Sequence, residues 1–226
     1  YGSFAEIGAG QETVRQFFRA GGASGTIAKT MSAYDKDFSD AIYGIENDKR
    51  YVTEARLRKM LDHEMNLMEQ RITREKHPDK IFFTYANTVA TIDFAKKYKG
   101  HGWVGIKYQV SPEQDYNEIV LHIRFKENDA RLQQETLGFL GTNLIYGAFY
   151  KYNEPKKLLR YLYDHLDKDQ LEINISNPLN LNQATPQVFS DLMIYTNMLR
   201  LDTVNQAGGD LNVYIDDTDI QWSTGQ

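Results

Sequence analysis

The sequence predicts an α/β fold, a mixed sheet of about six strands with helices packed on it. Three observations carry that expectation. Strand-like and helix-like hydrophobic periods alternate along the chain, and the stretch from Glu54 to about Thr73 has an unbroken helical stripe. Two strand-like segments, Trp103–Gln109 and Glu118–Phe125, are joined by so short a link that antiparallel pairing is the economical arrangement.

In order along the chain, Ser3–Ile7 is short and apolar-leaning, Gly8-Ala9-Gly10 follows, and Val14, Phe17 and Phe18 then fall at helical spacing within Gln11–Ala20. This reads as strand, turn and helix. Gly21 and Gly22 stop that helix, and an extended piece, Thr26–Tyr34, ends at Asp35. Thr53 is the N-cap of the long helix. Leu57, Met60, Leu61, Met65, Met68 and Ile72 form its apolar stripe, while Arg56, Lys59, Asp62 and Glu69 fall on the remaining surface. His77-Pro78-Asp79 breaks the pattern, and Lys80–Tyr85 begins a strand.

After the antiparallel pair, the segment from Asp129 to Tyr150 is helical in pattern, with Leu132, Thr136, Phe139, Leu140, Leu144 and Tyr150 on one face. Gly138, Gly141 and Gly147 interrupt it, each at roughly 1 kcal/mol relative to Ala. Close approach of another backbone is the expected compensation, with Asn143 hydrogen-bonding across the contact. A helix over Pro155–Leu166 turns Leu158, Leu159, Leu162 and Leu166 inward, and Leu171–Ser176 reads as a strand. Asn177–Gln183 is an Asn-rich loop, Pro186–Leu201 a helix capped by Thr185, and Leu211–Ile215 a last strand.

The 226 residues, 41% of them hydrophobic, suffice for one substantial core, so 1–226 is expected to form one domain. Acidic residues outnumber basic ones 31 to 26, for a net charge of −5, although basic residues cluster over Arg71–Lys80 and Lys96–Lys107. That balance disfavours a duplex nucleic acid partner. The chain has no cysteine, which removes disulfides, thiol catalysis and thiolate metal sites and fits a cytoplasmic location. No apolar run approaches the about 18 residues of a membrane span. The chain opens at Tyr1 in mid-pattern, as expected of a processed or partial form of something longer.

The stretches Phe4-Ala5-Glu6-Ile7-Gly8-Ala9-Gly10-Gln11-Glu12, Gly25-Thr26-Ile27-Ala28-Lys29-Thr30, Ser32-Ala33-Tyr34-Asp35 and Ser39-Asp40-Ala41-Ile42-Tyr43-Gly44 carry a resemblance. It continues through His101-Gly102-Trp103-Val104-Gly105, Arg124-Phe125-Lys126-Glu127-Asn128-Asp129 and Gly141-Thr142-Asn143-Leu144-Ile145-Tyr146-Gly147. Over roughly residues 1–176 the chain resembles a largely uncharacterised bacterial family whose members carry labels such as nicotinate-nucleotide adenylyltransferase or TonB-dependent receptor. The residues support neither label. A receptor needs a barrel, and that type of nucleotidyltransferase needs a His-x-x-His turn, which this chain lacks. The resemblance supplies membership and no mechanism.

Several constellations bear on chemistry. Gly8 and Gly10 between strand and helix, with Asp35 ending the next extended segment, outline a dinucleotide-binding unit in which helix amides hold a pyrophosphate. The third glycine is Thr13, and Glu12 sets a negative charge in the first turn; a plain strand-to-helix turn is the competing reading. Gly21–Thr30 ends in Lys29-Thr30 like a phosphate loop, but Ala28 stands where glycine should precede the lysine. His63-Glu64 lacks a second histidine, because Leu67 occupies that place, and His63 is expected on the helix surface. His101 lies between Gly100 and Gly102, where backbone can approach a ligand. Asp216, Asp217 and Asp219 cluster after the last strand without the glycine and glutamate of a calcium loop.

Lys29, Tyr34, Asp35 and Asp40 are the densest polar group in a glycine-rich region, where loops held by a sheet commonly carry function. No nucleophile, base and orienting group can be assembled, so no reaction, catalytic residue, cofactor or metal is assigned. Two functions are expected. The first is a site for a nucleotide or another phosphorylated small molecule, built from Gly8, Gly10, Lys29, Tyr34, Asp35 and His101. The alternative is a non-catalytic, self-assembling scaffold, a homo-oligomer whose 15 Tyr and 11 Phe suit extended contact surfaces.

Overall fold

The computed structural model describes residues 1–177. Among them the chain runs β1 (Gly2–Gly8), α1 (Thr13–Ala20), β2 (Ile27–Ala33), α2 (Lys36–Tyr43), α3 (Glu54–Arg71), β3 (Phe83–Ala90), β4 (His101–Tyr108), β5 (Asn117–Phe125), α4 (Ala130–Tyr150), α5 (Pro155–Leu162) and β6 (Leu171–Asn177). The strands form one mixed sheet in the order β2-β1-β3-β4-β5-β6, so the α/β expectation holds. The helix expected over 186–201, the strand over 211–215 and the Asp216, Asp217, Asp219 cluster lie outside the described residues.

β1 pairs in parallel with both β2 and β3, whereas β3, β4, β5 and β6 pair antiparallel in succession. Parallel neighbours need a crossover, and helices supply it. Because β2 and β3 flank β1 on opposite sides, crossovers of one hand place their helices on opposite faces of the sheet. Alternation fixes which side chains meet which face. Phe4, Phe83, Tyr85, Val104, Ile106, Ile119, Leu121 and Ile123 pack with Leu137, Leu140, Leu144, Leu158 and Leu162 of α4 and α5. On the other face Ala5, Ile7, Ala86 and Val120 pack with Leu57, Met60 and Leu61 of α3.

The long helix starts as its sequence directs, with the Thr53 hydroxyl accepting from the Arg56 amide at 3.1 Å, and the expected stripe from Leu57 to Met68 is buried. Two polar residues depart from the pattern. Arg56, expected on the polar side, is fully buried because α2 and the segment after it close over that flank and supply its hydrogen-bond partners, and Glu64, buried within the apolar stripe, is met by Ser3, Lys29 and Tyr43. α2 itself is not foreseen by periodicity; it follows from Asp35, whose carboxylate accepts from the Phe38 amide at 2.9 Å and so caps it.

α4 begins at its Asp129 cap, but its buried face is rotated from the expected one. Leu132 and Tyr150 are exposed, while Leu137, Ile145 and Ala148 are buried. The glycines do admit close neighbours, but only Gly138 meets backbone as anticipated, whereas Gly141 and Gly147 face side chains. A Cβ on Gly141 would stand 2.3 Å from Thr13 Oγ1 and 2.6 Å from the Tyr85 hydroxyl, and one on Gly138 would stand 3.1 Å from the Glu12 carbonyl. The start of α1 therefore lies against the glycine face of α4. Asn143 bonds across to α5, donating to the Leu162 and Asp164 carbonyls at 3.2 and 2.8 Å.

Candidate functional site

Residues at the carboxyl ends of the three parallel strands enclose a crevice of about 430 Å³. Ile7, Gly8 and Ala9 come from the end of β1, Tyr34–Lys36 from the end of β2, and Thr88–Asp93 from the end of β3, with Ser39, Tyr51 and Val52 closing the α2 side. An open sheet leaves such a cleft where successive connections depart to opposite faces, as they do after β1 and β2. Gly8 makes the turn possible. Its φ is +78°, and a Cβ there would meet the Val89 carbonyl at 2.4 Å.

Of the residues singled out in the sequence, Gly8, Tyr34 and Asp35 line this crevice. Gly10, Lys29 and His101 do not. The Gly10 carbonyl accepts from Asn87 Nδ2 at 2.9 Å, and a Cβ on Gly10 would meet Asn87 and Leu137, so this glycine serves packing. Lys29 pairs with Ser3 in register, four strand residues from Ala33, which is about 13 Å along the strand. Its ammonium bonds the carboxylate of Glu64, which also accepts from the Ser3 hydroxyl at 3.0 Å and the Tyr43 hydroxyl at 2.8 Å. Burial and the adjacent Glu64 carboxylate push the Tyr43 phenol well above its usual range. His101 opens β4 opposite Ala90, at the same end of the sheet as the crevice. Asp40 accepts from Tyr51 at 2.6 Å and faces Arg56.

The turn after β1 does not present a free helix N-terminus to a phosphate. Glu6, buried on the α1 side of the sheet, accepts from the Thr13 amide at 2.9 Å and from Asn87 Nδ2 at 3.1 Å, and the Val14 amide also bonds it. The favourable place for an anion is thus filled by the protein's own carboxylate. Burial raises the Glu6 carboxyl from 4.5 to about 7, with the Thr13, Val14 and Asn87 hydrogen bonds opposing the rise. The N-terminus of α2 is likewise occupied by Asp35.

The crevice lining is apolar at Ile7, Val52, Val89 and Ile92, with hydroxyls from Ser39, Thr88 and Thr91, although the Ser39 hydroxyl already accepts from Arg56 and the Thr88 hydroxyl donates to the Tyr51 carbonyl. One Asp35 oxygen is committed to the α2 cap, which leaves the other as an acceptor. Lys36 Nζ stands 5.6 Å from the Tyr51 ring centroid and supplies the positive charge. The wall carrying Tyr51 is anchored by hydrogen bonds and ion pairs. Fully buried Arg56 lies beneath it, donating to the Gly44 carbonyl at 2.5 Å and Ser39 at 2.6 Å, and pairing with Glu46 and Asp40 at 3.1 and 3.2 Å.

Sequence reasoning missed Ser39, Tyr51, Val52 and the 88–93 segment as parts of this site. Only the position of Thr88–Asp93 at the end of β3 reveals it, and that position depends on strand order. Among the described residues there is no group of three or more His, Asp or Glu side chains arranged to hold a metal ion. No helix among them is long and apolar enough to cross a membrane. Comparison with protein-family models, with curated proteins and with solved structures gives no match.

Proposed function

We propose that the protein binds a nucleotide-like small molecule in the crevice at the ends of β1, β2 and β3. The observation that carries this reading is the crevice itself, whose volume of about 430 Å³ falls within the range of small-molecule sites and whose walls are apolar with a few convergent polar groups. Tyr34, which is exposed, offers an aromatic face for a planar ring, and the free oxygen of Asp35 accepts from a sugar hydroxyl. Since Glu6 and Asp35 occupy the helix N-termini, a phosphate is held by side chains at the rim, with Lys36 foremost.

This division of labour gives a test by calorimetric titration with adenosine, adenosine monophosphate and inorganic phosphate. Asp35→Asn keeps an acceptor for the α2 cap and removes the charge that a ribose hydroxyl would bond, so it weakens nucleoside and nucleotide together, by roughly tenfold for one charge-assisted hydrogen bond. Lys36→Ala weakens the monophosphate selectively. Equal loss of both ligands in Lys36→Ala, or no loss in Asp35→Asn, contradicts the assignment.

A second reading, self-association, is favoured by the groove of about 550 Å³ between α1 and α4, lined by Phe17, Phe83, Ile145, Tyr146, Phe149 and Tyr150. Tyr150 in its lining is 65% exposed, and Phe18 on α1 is 56% exposed. Light scattering across a concentration series, with Tyr150→Lys as the disrupting variant, distinguishes a dimer from a constant monomer mass.

A further inference from the structure

The chain between β3 and β4 carries Asp93-Phe94-Ala95-Lys96-Lys97-Tyr98-Lys99. Every residue from Phe94 to Lys99 is exposed, Phe94 completely, and Tyr98 by 76%. Apolar rings are seldom left wholly in water without a partner, and three lysines stand among them. Asp93, the acid of this stretch, has an oxygen engaged by the Tyr98 amide at 2.9 Å, which braces the loop.

The loop leads into a sheet surface of similar character. On the α3 side of β4, Gly105 lies beneath Leu57 and Leu61, Trp103 packs, partly buried, against the same core, and His101 is partly exposed. On β5 their register partners are Arg124 and His122. Trp103 stacks on His122 with ring centroids 4.6 Å apart and planes at 27°, and His101 meets the edge of His122 at 5.7 Å. Arg124 is exposed and adds a guanidinium plane, with Glu172 of β6 opposite it in register. Burial, with the field of Arg124 and, at His122, that of His101 ahead of it, lowers the proton affinity of both histidines.

Exposed aromatic rings interleaved with lysines match the requirements of an unpaired nucleic acid strand. Each base offers a π-face for stacking, and each phosphate a charge for lysine. A duplex hides its base faces and gains only from the charges, which the net −5 of the chain opposes at longer range. We propose that single-stranded nucleic acid binds along the β3–β4 loop and the adjoining ends of β4 and β5, with Phe94 and Tyr98 stacking bases and Lys96, Lys97, Lys99 and Arg124 meeting phosphates. This surface does not depend on occupancy of the crevice, although Thr91, Ile92 and Asp93 belong to both.

The test is fluorescence anisotropy with labelled oligo-dT and oligo-U of about 15 nucleotides, a duplex of equal length, and vesicles containing anionic phospholipid. The wild-type protein is expected to bind the single strands at least tenfold tighter than the duplex. Lys96→Glu, Lys97→Glu and Lys99→Glu together should reduce affinity more than tenfold and lower the slope of log K against log salt by about 2, at about 0.7 per phosphate contact on a single strand. Phe94→Ala with Tyr98→Ala should weaken binding about tenfold or more at unchanged salt slope. These loop side chains are exposed, so circular dichroism should show the fold retained. The proposal is overturned by equal binding of duplex, by no binding of oligonucleotide, by binding to vesicles alone, or by triple-lysine and double-aromatic variants that bind as the wild type does.

Discussion

Replacing Glu6 by Gln tests the buried network beneath the crevice. The folded protein holds this carboxyl at about 7 against 4.5 in an exposed chain, so between those pH values the folded state binds more protons than the unfolded state. Stability from this group is therefore complete below pH 4.5, declines as pH rises and is lost above pH 7. A displacement of that size corresponds to about 3 kcal/mol, at 1.36 kcal/mol per unit. Gln keeps an oxygen to accept from the Thr13 and Asn87 donors and carries no charge to desolvate. The variant should match the wild type near pH 4.5 and exceed it at pH 8 by up to about 3 kcal/mol, or about 6–12 °C in Tm for a chain of this length. Thermal unfolding of both proteins from pH 4.5 to 8.5 gives the difference directly, so that other titrating groups cancel. A Tm difference that is constant with pH, or a Gln variant less stable at pH 8, would refute the reasoning.

Gly141→Ala is expected to destabilise by about 1–3 kcal/mol in a denaturant titration, despite Ala's helix preference, because its methyl would overlap Thr13 and the Tyr85 hydroxyl. Arg56→Ala leaves Glu46 and Asp40 facing each other across an empty site, and should cost about 3–5 kcal/mol by the same assay. Lys29→Ala removes the cation beside buried Glu64, and is expected to lower Tm while leaving the affinity for crevice ligands within twofold.

The chemistry of turns and caps made much of the fold legible. Thr53 and Asp129 begin helices where they stand, the alternation of Ile119, Leu121 and Ile123 marks a strand, and Gly8 turns the chain at the end of β1. What was not legible came from tertiary contacts. Arg56 sits on a helix flank that looks solvated until α2 covers it, Glu64 is an acid within the apolar stripe itself whose partners come from β1, β2 and α2, and the buried side of α4 is set by α1 rather than by its own pattern. The candidate site was half visible. Gly8, Tyr34 and Asp35 lie close in sequence to the strand ends that form the crevice, whereas Thr88, Val89 and Ile92 join it only because β3 lies beside β1. Lys29 looked like a phosphate ligand because it follows glycines, but its strand carries it to the opposite part of the sheet, against Glu64. Glu6 gave a signal in retrospect, as an acid within an apolar strand, just ahead of a helix N-terminus whose amides need an acceptor.

Whether the crevice is a binding site is tested most directly by amide chemical shifts of the protein titrated with adenosine monophosphate. Saturable shifts are expected at Gly8, Ala9, Asp35, Lys36 and Thr88–Asp93, with the Lys29 and Glu64 amides unmoved, and with saturation at roughly tenfold higher ligand in Asp35→Asn. Shifts absent from these residues at millimolar ligand, or confined to the α1–α4 groove, would contradict it.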